Sequence, residues 1–169
     1  MKKLLLLCVV LFGMIAVYAE ALNISGDFPQ PRKAGAAPKG WNFISGSKGM
    51  LEIVRVANGN GILINSEKNG RFGIYTAAQA AKAGDRIRVS AFVRGEKIVF
   101  GIFQYGNGRS TGSLRKVLTS TAEGSRLEHT FTIGDSPRGK TDKIRVAFWV
   151  EKGGAASIVA PEAFREAAK

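Results

Sequence analysis

Apolar and polar positions alternate with period two along several stretches of the chain, the pattern of half-buried strands rather than helices. In Arg86–Arg94, Ile87, Val89, Ala91 and Val93 share one face, and Arg86, Arg88, Ser90 and Arg94 the other. Lys143–Glu151 sets Ile144, Val146, Phe148 and Val150 against Lys143, Arg145, Ala147, Trp149 and Glu151. Arg126–Ile133 sets Leu127, His129, Phe131 and Ile133 against Arg126, Glu128, Thr130 and Thr132, which puts a histidine on an apolar face. Shorter strands are predicted at Trp41–Ser45, Met50–Ala57, Gly61–Ser66, Phe72–Thr76, Lys97–Tyr105, Leu114–Thr119 and Ala156–Ala160.

Turn residues punctuate these runs. Asn58-Gly59-Asn60-Gly61 is a hairpin signal, because Asn and Gly tolerate the positive φ of primed turns. Asn69-Gly70, Ala83-Gly84-Asp85, Gly106-Asn107-Gly108 and Gly134-Asp135-Ser136-Pro137 mark further turns. Only Thr76–Ala83 and Pro161–Lys169 have helix-forming composition, and both are short. Roughly 8–10 short strands at this spacing predict an all-β fold, an antiparallel β-sandwich of the jelly-roll kind. A lead-in over residues 22–40, rich in Pro, Gly and Ala, is expected to be irregular, and residues 161–169 to form a short tail. Residues 22–169 are expected to make a single domain.

Lys2 and Lys3 precede an uncharged run from Leu4 to Ala19 and then small residues, which reads as a secretory signal peptide. The run is shorter than the ~20 apolar residues that span a bilayer, so no membrane span is expected after the leader is removed. Two frames place small residues at positions −3 and −1: Val17 and Ala19, cutting before Glu20, or Ala19 and Ala21, cutting before Leu22. The second is preferred, which sets the expected leader at residues 1–21. A secreted, periplasmic or extracellular location follows.

The 169 residues include 45% hydrophobic and 22% charged residues, as in a folding globular chain. One Cys and one His exclude a Cys/His zinc cluster and a redox pair. Cys8 lies within the leader, which leaves the exported domain without a disulfide or a thiolate nucleophile. With 25 Lys+Arg against 13 Asp+Glu the net charge is +12. Such an excess suits polyanions, and export favours acidic polysaccharide, lipopolysaccharide, teichoic acid or an anionic membrane surface over nucleic acid.

Several segments resemble the carbohydrate-binding, galactose-binding-like jelly-roll modules that accompany secreted bacterial glycoside hydrolases. They are Asn23 with Gly26-Asp27-Phe28 and Pro38-Lys39-Gly40-Trp41 near the start, the strand Ala83–Gly95, and the late strand Lys143–Val150. The resemblance implies the same jelly roll, carbohydrate as the ligand, and a separate enzyme as a partner, since such modules usually ride on one. It departs where such modules end in an Asp pair that helps hold a structural Ca²⁺. Here the stretch reads Ile158-Val159-Ala160-Pro161-Glu162-Ala163-Phe164, leaving Asp27 and Glu162 as the carboxylates near the termini. No metal or cofactor is expected.

Sugar recognition needs flat apolar faces for pyranose C–H groups, with polar groups for hydroxyls. Trp149 and Phe92 fall on the polar faces of their strands, and Phe103 and Tyr105 lie opposite Ile98, Phe100 and Ile102. If those strands are neighbours, Arg88 and Arg145 flank the aromatics and can make bidentate contacts to a carboxylate or sulfate. Phe92 and Phe103 read more readily as cover for the sandwich edge, Tyr105 as either such cover or a contact, Trp149 as either a contact or packing for an arginine stem, and Trp41 as an anchor for the lead-in. His129 reads as a hydrogen-bonded core histidine.

Asp27, Glu52, Glu67, Asp85, Glu96 and Glu128 form no paired motif for glycoside hydrolysis. Gly106–Gly112 lacks the Gly-Lys-Ser/Thr ending of a phosphate loop and reads as a mobile rim loop. The expectation is a non-catalytic carbohydrate-binding domain, suited to anionic glycan, with Trp149, Tyr105, Phe103, Phe92, Arg88 and Arg145 as contacts. The alternative is a structural or interaction protein of the cell envelope that presents a cationic sandwich face to a protein partner.

Overall fold

The computed structural model describes residues 19–31, 35–57, 59–95 and 97–166. The leader expected over residues 1–21 therefore lies outside the described residues, apart from residues 19–21. The strands in chain order are β1 (Glu20–Ala21), β2 (Trp41–Phe43), β3 (Gly49–Val56), β4 (Gly59–Ser66), β5 (Arg71–Thr76) and β6 (Gln79–Ala80). They continue with β7 (Arg86–Gly95), β8 (Lys97–Gly106), β9 (Arg109–Thr119), β10 (Ser125–Thr132), β11 (Lys143–Glu151) and β12 (Ala155–Glu166).

Two antiparallel sheets form the sandwich. Sheet I runs β10-β7-β12-β4-β3 with β1 on β12, and sheet II runs β2-β5-β11-β8-β9 with β6 on β11. The alternating residues meet between them. Ile62, Ile64, Ile87, Val89, Val93, Phe131 and Ile158 of sheet I face Phe72, Ile74, Ile98, Phe100, Ile102, Ile144, Val146 and Phe148 of sheet II in one core. Phe100 and Phe148 pack edge to face at 4.9 Å. The jelly roll expected from the alternation is the fold observed.

Trp41 fastens the lead-in. Its Nε1 donates to the Ser25 carbonyl at 2.9 Å, and its ring lies 5.3 Å from Phe28 and 5.8 Å from Phe148. A hairpin joins β3 to β4 with Val56 opposite Gly59, as the Asn-Gly run suggests, but Gly59, Asn60 and Gly61 already belong to β4 and Asn58 lies outside the described residues.

The structure differs from the sequence reading in three places. Pro161–Glu166 is the second half of β12, not a tail with helical composition. Ala163 points inward and Glu162, Phe164 and Glu166 outward, and the segment continues the ladder with β7 past a bulge between Val159 and Glu162. Pairing with a long neighbour outweighs the intrinsic preference of Ala and Glu. Of Thr76–Ala83, Gln79–Ala80 joins β11 as a short strand. Gly106–Gly112 is mostly strand, because Asn107 and Gly108, at φ 51° and 75°, close a two-residue hairpin between β8 and β9. Among the described residues no helix is long and apolar enough to cross a membrane.

Candidate functional site

Sheet II presents an aromatic outer face. In β11 the residues between the core positions are Lys143, Arg145, Ala147, Trp149 and Glu151. The ladders place Arg71, Gly73 and Tyr75 of β5 beside them on one side, and Val99, Gly101, Phe103 and Tyr105 of β8 on the other.

Two glycines make room for Trp149. A Cβ on Gly101 would lie 2.3 Å from Trp149 Cζ3, and one on Gly73 would lie 2.3 Å from Trp149 Cβ. The indole thus lies flat on the sheet, nearly parallel to Phe103 at 6.0 Å and 14°, and its Nε1 donates to Glu151 Oε1 at 2.8 Å. With Ile44, Val99 and Ala147 it forms a second small apolar cluster, against which Tyr75 and Phe103 pack. Trp149 is only 3% exposed, so it serves as a floor beneath the more accessible rings.

Above Ala147, Tyr75 and Phe103 meet edge to face at 6.2 Å and 81°. Arg145 lies next to them. Its guanidinium carbon is 4.8 Å from the Tyr75 ring centre and 4.8 Å from that of Tyr105, a cation held between two tyrosines. Its Nε is buried and has no hydrogen-bond partner among the described residues. A planar guanidinium fixed by two rings, and in no ion pair among the described residues, suits a carboxylate or sulfate at its terminal nitrogens, the buried Nε being out of a ligand's reach.

Of the six contacts expected from sequence, Trp149, Tyr105, Phe103 and Arg145 share this face. Phe92 and Arg88 do not. Both lie on the outer face of β7 in sheet I, on the opposite side of the sandwich, because the chain changes sheets between Gly95 and Lys97. The platform expected to hold all six is therefore divided. Phe92 is 40% exposed and lies against Gly124, while Arg88 sits 5.3 Å over the Phe164 ring and 3.9 Å from Glu128.

Tyr75 was not singled out in the sequence, although its signal is there. Phe72 and Ile74 point inward, so alternation turns Arg71, Gly73 and Tyr75 outward.

Charge is distributed unequally between the faces. Among the described residues the ion pairs are Arg86–Glu166, Arg88–Glu128, Arg126–Glu162, Arg165–Glu20 and Arg165–Asp85, all on sheet I or its margin. Arg71, Lys97, Arg115, Lys143 and Arg145 stand on the outer face of sheet II, and none of them joins an ion pair among those residues. At one end of this face Arg115, Lys116, Val117, Glu151 and Lys152 line an open depression of about 580 Å³.

The remaining candidates have structural surroundings. Asp27 Oδ1 accepts from the Asn60 amide at 3.1 Å, and Glu162 pairs with Arg126. Among the described residues no group of three or more His, Cys, Asp or Glu is placed to hold a metal. His129 sits half-buried at the sheet I edge, 4.7 Å from Phe131. Burial, and then the charge of Lys116, lower its pKa below the ordinary 6.5.

No protein-family model matches the chain, and no curated protein matches its sequence. Solved structures match its fold. A family 11 carbohydrate-binding module of the cellulosomal cellulase Lic26A-Cel5E of Clostridium thermocellum aligns over 91% of this chain and 98% of its own, at 17% identity and a TM-score of 0.57. The CBM22-1 xylan-binding domain of Paenibacillus barcinonensis Xyn10C aligns over 91% and 99%, at 12% identity and a TM-score of 0.58. A cyclase from Fischerella sp. aligns over 89% and 98%, at 11% identity and a TM-score of 0.63. The likeness is one of fold. It embraces binding modules and a cyclase alike, so the function has to be argued from the site.

Proposed function

We propose that this protein is an exported, non-catalytic carbohydrate-binding domain. It takes glycans bearing carboxylate or sulfate groups on the outer face of sheet II. The observation that carries the reading is Arg145, its guanidinium held between Tyr75 and Tyr105 and joined to no carboxylate among the described residues. Tyr75, Tyr105 and Phe103 offer ring surface to pyranose C–H groups, and Trp149 on Gly73 and Gly101 keeps Phe103 in place. Lys143, Arg71, Lys97 and Arg115 surround this strip and draw a polyanion to it.

The fold shared with a xylan-binding domain and a cellulase module supports carbohydrate as the ligand class. Glu151 is the one carboxylate among the described strand residues of this face, whereas a glycosidase of the usual kind places two across the scissile bond. That favours binding without turnover. The unpaired cations also suit a second reading, in which this face docks an anionic partner in the cell envelope.

Affinity electrophoresis separates the two. The domain is run through gels containing a neutral mixed-linkage glucan, polygalacturonate or a sulfated galactan, at low and moderate salt. Retardation by the acidic polysaccharides that persists at moderate salt and is lost in Tyr105→Ala and Arg145→Gln supports the sugar platform. Retardation by every polyanion alike, abolished by salt and insensitive to Tyr105→Ala, favours the envelope reading.

A further inference from the structure

Two cleavage frames fit the small residues at the end of the leader, and the fold distinguishes them. After its bulge, β12 leaves β4, whose last partner is Val159 opposite Gly61. The edge vacated by β4 is taken by β1, with Glu20 opposite Arg165 and Ala21 opposite Phe164. The pairing continues as the Leu22 amide donates to the Ala163 carbonyl at 2.9 Å. Gln79 then holds Asn23 from both sides: its Oε1 accepts from the Asn23 amide at 2.9 Å and its Nε2 donates to the Asn23 carbonyl at 2.6 Å.

Arg165 joins this strap to the sheet. Nη1 meets Glu20 Oε2 at 2.7 Å, Nη2 donates to the Ala80 carbonyl, and Nε lies 3.2 Å from Asp85 Oδ2. A cut before Leu22 would remove both residues of β1, strip Glu20 from Arg165 and leave the backbone edge at Phe164 and Arg165 unpaired. A cut before Glu20 keeps every one of these contacts. We infer that the leader is removed after Ala19, with Val17 at −3 and Ala19 at −1, so that the exported protein begins at Glu20 and its first two residues complete sheet I. The inference rests on residues 1–19 being an export leader.

The test is N-terminal sequencing and intact mass of the protein released when the full chain is expressed in an exporting bacterium. The expected terminus is Glu20, both in the wild type and in Ala21→Lys, which blocks only the frame that cuts before Leu22. In parallel, a purified chain beginning at Glu20 is expected to melt about 2–4 °C above one beginning at Leu22. Release of a protein beginning at Leu22 overturns the assigned frame, and equal melting of the two chains overturns the part given to the first two residues in completing sheet I. Recovery of the uncut chain alone overturns the leader itself.

Discussion

The guanidinium of Arg145 sits 4.8 Å from the centre of the Tyr75 ring. The two residues lie on adjacent strands, one pair out of register, since Tyr75 is opposite Ala147. The short Ala147 side chain lets the tyrosine lean toward the arginine from one side, and Tyr105 approaches it from the other. A flexible cation on a sheet surface is thereby fixed before any ligand arrives, which lowers the ordering cost of binding.

Replacing Arg145 with Lys keeps the charge but removes the planar fork. Affinity for an acidic glycan should fall about tenfold or more in Arg145→Lys and further in Arg145→Gln, as expected for loss of charge-assisted hydrogen bonds. Affinity for a neutral glycan should change little. Titration calorimetry with both ligands measures the split.

The recess under Trp149 has no space for a side chain. Gly101→Ala should destabilise the domain by about 1–3 kcal/mol, since the new methyl meets the indole ring and overpacks the site. Trp149→Ala should cost about 3–5 kcal/mol, as for large buried aromatics. Urea unfolding gives both values, and near-ultraviolet circular dichroism should report the displaced indole in Gly101→Ala.

Much of this was legible in the sequence, and the limit has a physical cause. Period two tells which side of its sheet a residue faces, so Arg88, Phe92, Phe103, Tyr105, Arg145 and Trp149 were all read as outward. It does not tell which sheet a strand joins. That depends on long-range pairing, and β7 and β8, adjacent in sequence, part at Gly95. The burial of Trp149 was equally out of reach, because it follows from Gly73 and Gly101 on two other strands meeting at one point. Tyr75 was within reach, since the same alternation that located Phe72 and Ile74 turns it outward.

Acid should weaken sheet I. The Arg86 Nε donates to Glu166 Oε2 at 2.8 Å, and this hydrogen bond holds the Glu166 carboxyl below its ordinary 4.5, against an opposing push from burial. The charge of Arg86, a hydrogen bond from Thr130 and the charge of Arg88 lower it further. A depressed carboxyl contributes stability that is complete above its unfolded value and is lost as pH falls through its folded value. The urea midpoint should therefore decline below about pH 4.5, and the decline should be shallower in Glu166→Gln.

His129 acts in a higher window. Its pKa is lowered by burial and then by Lys116, so the folded protein favours the neutral ring. Above 6.5 neither state holds the proton, and as pH falls below 6.5 the unfolded chain takes it first. Stability should drop from that point until the folded histidine also titrates. In His129→Gln this part of the loss should vanish, as thermal melts across mildly acidic buffers will record.

The central claim is that acidic glycan binds on sheet II through Arg145. Its most direct test is calorimetric titration of an oligogalacturonate and the matching neutral galacto-oligosaccharide into the wild type, Arg145→Gln and Arg88→Gln at moderate salt. The acidic ligand should bind more tightly than the neutral one, lose that advantage in Arg145→Gln, and keep it in Arg88→Gln on the opposite sheet. Equal weakening by the two substitutions, or no preference for the acidic ligand in the wild type, would contradict the account.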